Sequence, residues 1–211
     1  MYALVESGNI TRYFSSPKGF TVGDNQYSAD VFTKWTKSER EAIGLYEVTF
    51  DDTNKKNKKW YTNTNQTFTY DADAGTVTAA YGTATAKAHA DVNWTQSEID
   101  NGDAPAGATT STVKVEGLKT ILIRQVKEQA NAILSQTDWY VTRKSEKSTA
   151  IPSNISTHRD AVRTKQAEME TSITNAADTA ALETLYEVVN TGTEESPVYE
   201  RPLGRLPELE S

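Results

Sequence analysis

Few residues in this chain are equipped for acid, base, nucleophilic or metal chemistry. It has two histidines, His89 and His158, far apart in sequence, and no cysteine. Without thiols there is no disulfide, no thiolate nucleophile and no cysteine-ligated zinc. Neither histidine has partners at the spacing of a metal site or a His-centred triad. Gly19 to Gly23 lacks the spacing and the lysine of a phosphate loop. The pairs Asp71 with Asp73 and Asp100 with Asp103 offer oxygens of the kind calcium uses, but neither run completes a calcium loop, and both read as turn acids. The expectation is therefore no catalytic residue, no metal and no cofactor. His158, three residues beyond Ile155, reads as a residue packed at the edge of a helix seam.

Two other groups of side chains suit binding better than catalysis. Asp138, Trp139, Arg143, Arg159 and Arg163 cluster in one stretch, where Asp138 can pair with Arg159 or Arg163 and Trp139 can lie under a guanidinium. Such contacts stabilise a fold, and they also build an interface for a partner protein. Trp60 and Tyr61, with Phe68, Tyr70 and Tyr81, are rings that either pack across strands or form a flat platform for a glycan.

Composition limits the setting of these residues. At roughly 150 residues per domain, 211 residues suggest one or two domains, and the unlike halves favour two. Only 36% of residues are hydrophobic, below the ordinary range for a soluble domain, so the core should be thin and part of the stability should come from other subunits. The net charge is -7, with 22 Lys and Arg against 29 Asp and Glu. Phosphate neutralisation needs a concentrated basic face, so nucleic acid is not the expected partner. The one lysine cluster, Lys55, Lys56, Lys58 and Lys59, follows Asp51, Asp52 and Asn54 and reads as a solvated turn. The opening residues lack a signal-like apolar run and no stretch reaches about 18 apolar residues, so a soluble chain made in the cytosol is expected.

The elements that must hold these residues follow in chain order. Residues 1–82 read as a β-rich antiparallel domain. Ser7-Gly8-Asn9 turns an opening hairpin, Gly23-Asp24-Asn25 turns a second, and Thr36 or Ser38 caps a short helix ended by Gly44. Leu45 to Phe50 is a strand by composition. Trp60 to Tyr70 and Thr76 to Tyr81 form the clearest hairpin, around Asp71 to Gly75. Residues 83–117 read as a linker region with a short helix from Thr95 to Asp100. From Leu118 the apolar period becomes helical, through Ile121, Leu122, Val126, Ala130, Ile133 and Leu134. Thr137-Asp138 ends that helix and a polar loop follows. A second helix begins at Pro152 or Ser153, its seam being Ile155, Val162, Met169 and Ile173, and Asp178 caps a short third helix that completes a domain over 118–190. The acidic segment 191–211, with Pro197, Pro202 and Pro207, reads as disordered or as an arm that orders against a partner. The fold class is α+β, a β-rich domain followed by a helical hairpin and an extended arm.

One resemblance rests on these residues. Leu134-x-x-Thr137-Asp138-Trp139, then Arg143, Ile151-Pro152 and His158-Arg159-x-x-x-Arg163, is similar to a pattern in the C-terminal domains of phage tail fibre assembly and tail assembly chaperone-like proteins. Thr137, His158 and Val162 stand where that pattern more often has Ser, Tyr and Leu. The first half also resembles the leading domain of such proteins, through Tyr2-Ala3-Leu4-Val5, Gly23-Asp24-x-Gln26-Tyr27, Trp35 and Glu39 to Val48. The resemblance implies a non-enzymatic structural component of a bacteriophage tail or tail-fibre apparatus. Such a protein is made in the host cytoplasm, resides in the virion, is oligomeric or part of a larger assembly, and acts through other tail or fibre proteins. An assembly chaperone absent from the mature virion is the first alternative, and a host glycan-binding module using Trp60 and Tyr61 is the second.

Overall fold

The computed structural model describes residues 1–209; Glu210 and Ser211, the end of the segment read as an arm, lie outside them. The fold is α+β and divides into two compact units, Met1–Thr85 and a second from Ala86 onward.

The first unit is built on a five-stranded curled sheet. Strands β1 (Tyr2–Glu6) and β2 (Asn9–Phe14) form the opening hairpin, whose turn puts Ser7 and Gly8 at φ 50° and 77°. The short ribbon β3 (Phe20–Val22) and β4 (Asn25–Tyr27) follows, then helices α1 (Val31–Lys34) and α2 (Lys37–Ala42). Thr36 caps α2 in a reciprocal pair with Glu39: the Glu39 amide donates to the Thr36 hydroxyl and the Thr36 amide to the Glu39 carboxylate. Strand β5 (Leu45–Asp51) pairs antiparallel with β1. Beyond β6 (Tyr61–Thr62), the hairpin of β7 (Gln66–Asp71) and β8 (Thr76–Tyr81) completes the order β2-β1-β5-β8-β7.

Strand alternation sorts the side chains onto two faces. Leu4, Phe14 and Leu45 point one way and are buried with Phe20, Val31 and Phe32 of the covering ribbon and helices. Ala3, Val5, Val48, Val77 and Ala79 point the other way, with Ile10, Tyr46, Phe68 and Tyr70 packed around them. Small residues on the central strands let the sheet curl until Tyr13 of β2 meets Phe68 of β7, ring centroids 4.6 Å apart. The sequence suggests a wholly antiparallel domain, but β5 and β8 pair in parallel. The long excursion through residues 52–75 returns β8 in the direction of β5, and no local pattern encodes which strand a hairpin will join.

The second unit begins with structure where a linker is expected. After β9 (Thr85–Ala86), which lies at the boundary, β10 (Val92–Asn93) pairs with β11 (Val113–Val115), and α3 (Gln96–Asp100) sits between them. Residues 87–91 are bound to the helices: the amides of Leu118 and Lys119 donate to the carbonyls of Ala88 and His89, each at 2.9 Å. The Gly117 amide donates to the Asp91 carboxylate at 2.6 Å, and the buried Thr179 hydroxyl donates to the Lys87 carbonyl at 2.7 Å. The first turn of a helix has amides with no partner inside the helix, and this segment supplies them. Small residues concealed it from a reading based on apolar period.

Helix α4 (Leu118–Ser135) buries Leu118, Leu122, Val126 and Ala130. Helix α6 (Ser153–Asn175) buries Ile155, Val162, Met169 and Ile173, the four residues of the seam read from sequence. Between them residues 138–147, expected as a loop, form helix α5 (Asp138–Lys147), closed by Ser148 in the left-handed region at φ 54°. Helix α7 (Thr179–Tyr186), capped by Asp178 as the sequence indicates, buries Leu182. The acidic segment is partly structured. Strands β12 (Val189–Asn190) and β13 (Tyr199–Glu200) pair, and the buried Leu203 donates its amide to the Leu185 carbonyl. Its apolar residues are sparse, yet the buried Leu203 and the half-buried Leu206 lie against the unit's own helices.

Two predictions follow from these contacts. Gly44 has φ 80°, and a β-carbon there would lie 2.3 Å from the Val5 carbonyl oxygen, whereas one at Gly8, also left-handed at φ 77°, would meet nothing. Gly8→Ala should cost about 1–2 kcal/mol for the backbone conformation. Gly44→Ala should cost more, about 3 kcal/mol or beyond, because β1 must move as well, and urea unfolding followed by circular dichroism measures both. In α3, the Glu98 carboxyl is lowered from 4.5 to about 2 by the Lys114 ammonium and then by the Thr95 amide and hydroxyl. A carboxylate held below its unfolded value stabilises fully above pH 4.5, and that contribution is lost as pH falls through about 2. An NMR titration should find the Glu98 midpoint near 2, and Glu98→Gln should remove this part of the acid dependence of α3.

Candidate interaction site

The side chains singled out between Asp138 and Arg163 separate into a buried knot and an exposed patch. Arg159 lies on the α6 seam, four residues after Ile155 and three before Val162, and is 7% exposed. Its Nη1 donates to the Leu134 carbonyl and to the Thr137 hydroxyl, both at 2.6 Å, and its Nη2 donates to Asp138 Oδ1 at 2.8 Å. Thr137, itself buried, donates its hydroxyl to the Leu134 carbonyl at 3.0 Å.

The physical logic is that of a helix end. The last carbonyls of α4 have no amide of their own helix to accept from, and the helix dipole makes that end negative. A guanidinium entering from α6 satisfies a carbonyl and supplies the opposite charge. Its planar fork also reaches the first residue of α5. One side chain thereby fixes the end of α4 and the start of α5 against α6. Asp138 is more exposed than Arg159, with 58% of its side-chain surface open, so the ion pair is a rim contact and the neutral bonds carry the burial.

Trp139 and Arg143 belong to the second group. Trp139 is 52% exposed, its ring centroid 3.9 Å from that of Tyr140. The Arg143 guanidinium carbon is 4.7 Å from the Trp139 centroid and 5.3 Å from the Tyr140 centroid. Arg143 Nε is buried with no hydrogen-bond partner. Arg163 joins neither group: it bonds Asp160 one turn earlier at 3.2 Å, both side chains largely exposed. Of the two partners open to Asp138 in the sequence, Arg159 is the one used.

His158 lines a cleft of about 610 Å³ with Ala132, Ile133, Thr137, Leu206 and Leu209. It is half-buried at the edge of the α4 and α6 packing. Asp71 accepts the amides of Asp73 and Ala74, each at 3.0 Å, closing its hairpin.

The aromatic platform is not formed by the residues named for it. Trp60 is 2% exposed, with the Lys59 ammonium 4.4 Å from its ring centroid, and Tyr61 is half-buried. The single strand read from Trp60 to Tyr70 is interrupted because Asn63 turns inward to the loop, accepting the Lys56 amide and donating to the Lys56 carbonyl, each at 2.8 Å. That break carries Trp60 out of the hairpin and into the interior. Tyr70 instead meets Tyr46, with hydroxyls 3.0 Å apart, and this bond, with burial, pushes the Tyr46 hydroxyl up to about 12. The rings pack across strands.

The buried Thr137 and the helical nature of residues 138–147 were missed from sequence. The position of Arg159 on the seam was available: it falls at helical steps from Ile155 and Val162. No family model, curated protein or solved structure matches the chain. Among the described residues no helix is long and apolar enough to cross a membrane.

Arg159→Ala should remove the buried donor to the Thr137 hydroxyl and one donor to the Leu134 carbonyl, which keeps the Thr137 amide and hydroxyl, and should lower stability by about 1–3 kcal/mol. Arg163→Ala, which removes an exposed pair, should change it by less than about 0.5 kcal/mol. Chemical denaturation of the two variants side by side provides the measurement.

Proposed function

We propose that this protein is a non-enzymatic structural component of a bacteriophage tail or tail-fibre apparatus, working by association with neighbouring tail proteins. The observation that carries this reading is the role of the motif residues. Leu134, Thr137, Asp138 and Arg159, on which the resemblance to phage tail fibre assembly and chaperone-like proteins rests, form the knot that joins three helices. The same knot leaves Trp139 exposed, with the guanidinium of the half-buried Arg143 over its ring. Such a construction presents a rigid aromatic and cationic patch, the chemistry enriched at protein interfaces.

In this reading Asp138 and Arg159 position the patch, Trp139 and Arg143 make contact, and Arg163 lies on the exposed side of α6. Quantitative mass spectrometry of purified virions and of infected lysate tests it. A structural component should appear in intact particles at a fixed ratio to the other tail proteins. Detection in the lysate alone would overturn the structural reading in favour of an assembly chaperone.

A further inference from the structure

The segment that follows α7 lies in a groove along α4 and α6 and fills it only in part. Leu203, Leu206 and Leu209 recur at every third residue. Leu203 and Leu206 lie beside Val126, Met169 and Tyr186, and Leu209 lies beside Thr157 and His158. The seat loosens along the segment. Leu203 is 4% exposed and its amide donates to the Leu185 carbonyl at 3.0 Å, Leu206 is half-buried, and Leu209 is 41% exposed, lining open clefts of about 610 and 490 Å³. Val126 and Met169 are buried, and apolar groups on this groove need a leucine over them whichever chain supplies it.

The connection that holds the leucines there is weak. Residues 187–202 leave the end of α7 and return to it at Leu203 through the β12 and β13 ribbon, and an isolated two-stranded ribbon is marginally stable by itself. Val188, Val198 and Tyr199 are exposed on the closed ribbon, so opening it uncovers no core. Opened, the connection reaches about 50 Å at ~3.3 Å per residue, enough to carry the leucines to a neighbouring molecule.

We propose that the arm over residues 201–209 is exchangeable: it seats in the α4 and α6 groove of its own chain in isolation, and in the same groove of a second copy when copies are brought together. The occupant follows from the structure, in which this groove holds this segment, and a second copy offers the identical pair. Exchange remakes the contacts of the seat and gives up only the ribbon, the condition under which swapping a segment is a low-cost route to association. A tethered arm is present at its own groove at an effective concentration of about 1 mM, so the internal seat wins in dilute solution and exchange emerges as the chain approaches that concentration. The inference stands independently of where the protein acts.

The chain has no cysteine, so a pair can be introduced cleanly for cross-linking of the full-length protein. Glu208→Cys on the arm and Gln136→Cys at the end of α4 are exposed positions lining one cleft, and a short bismaleimide should bridge them within a single chain at about 1 µM. The decisive mixture holds one copy with Glu208→Cys and another with Gln136→Cys. At about 1 mM the two positions should be linked across copies, as read by mass spectrometry of the joined peptides, at least about tenfold more than in a mixture of Glu208→Cys with Asp24→Cys, a position on the first unit. The yield should fall to the level of that control at about 10 µM. Leu206→Asp in the arm-bearing copy, at a half-buried position that leaves circular dichroism unchanged, should remove the excess. Linkage across copies no greater than the Asp24 control overturns the proposal, as does an excess that Leu206→Asp leaves in place. Failure of the bridge within a single chain overturns the seat on which exchange depends.

Discussion

The helical unit depends on a cation placed where three helix segments converge. Arg159 satisfies the open end of α4, holds Thr137 and reaches Asp138 at the start of α5, all from a position on the apolar seam of α6. A buried guanidinium is costly unless its donors are used, and here the partners are mostly neutral oxygens at a helix terminus. The arrangement specifies geometry. An apolar side chain at this position would pack, but it would fix neither the direction in which α5 leaves nor the outward face of Trp139.

The two units solve the problem of a thin core differently. In the first, small residues on the central strands allow the sheet to curl, and aromatic side chains bridge its edge strands at Tyr13 and Phe68. Edge strands are liabilities, and ring contacts of this kind cover one without a hydrogen-bonded closure. In the second, two long amphipathic helices supply a narrow seam, and polar contacts from residues 87–91 finish the start of α4.

Elements governed by local chemistry were legible in the sequence. The hairpin at Ser7-Gly8, the cap of α2 and the α6 seam each follow from a few adjacent residues, and each is present in the structure, Thr36 rather than Ser38 being the cap. What escaped depends on contacts between distant residues. The parallel pairing of β5 with β8, the burial of Trp60 and the attachment of residues 87–91 to α4 leave no periodic trace. Helix α5 escaped for another reason: with no buried face it shows no apolar period. The candidate site was half legible, since the pairing of Asp138 with an arginine was readable but the choice of Arg159 over Arg163 turned on which of them the seam buries.

The bond from Thr179 to the Lys87 carbonyl spans 92 positions of sequence. A polypeptide leaves the ribosome from its N-terminus, and domains generally fold as units in that order. The strands of the first sheet are all present once Tyr81 has emerged, so that unit can close early. Residues 87–91 are first met by the start of α4, and the bond from Thr179 is added only after α5 and α6 have been made. The second unit is thus completed only once α7 has been made, well after the first unit can have closed.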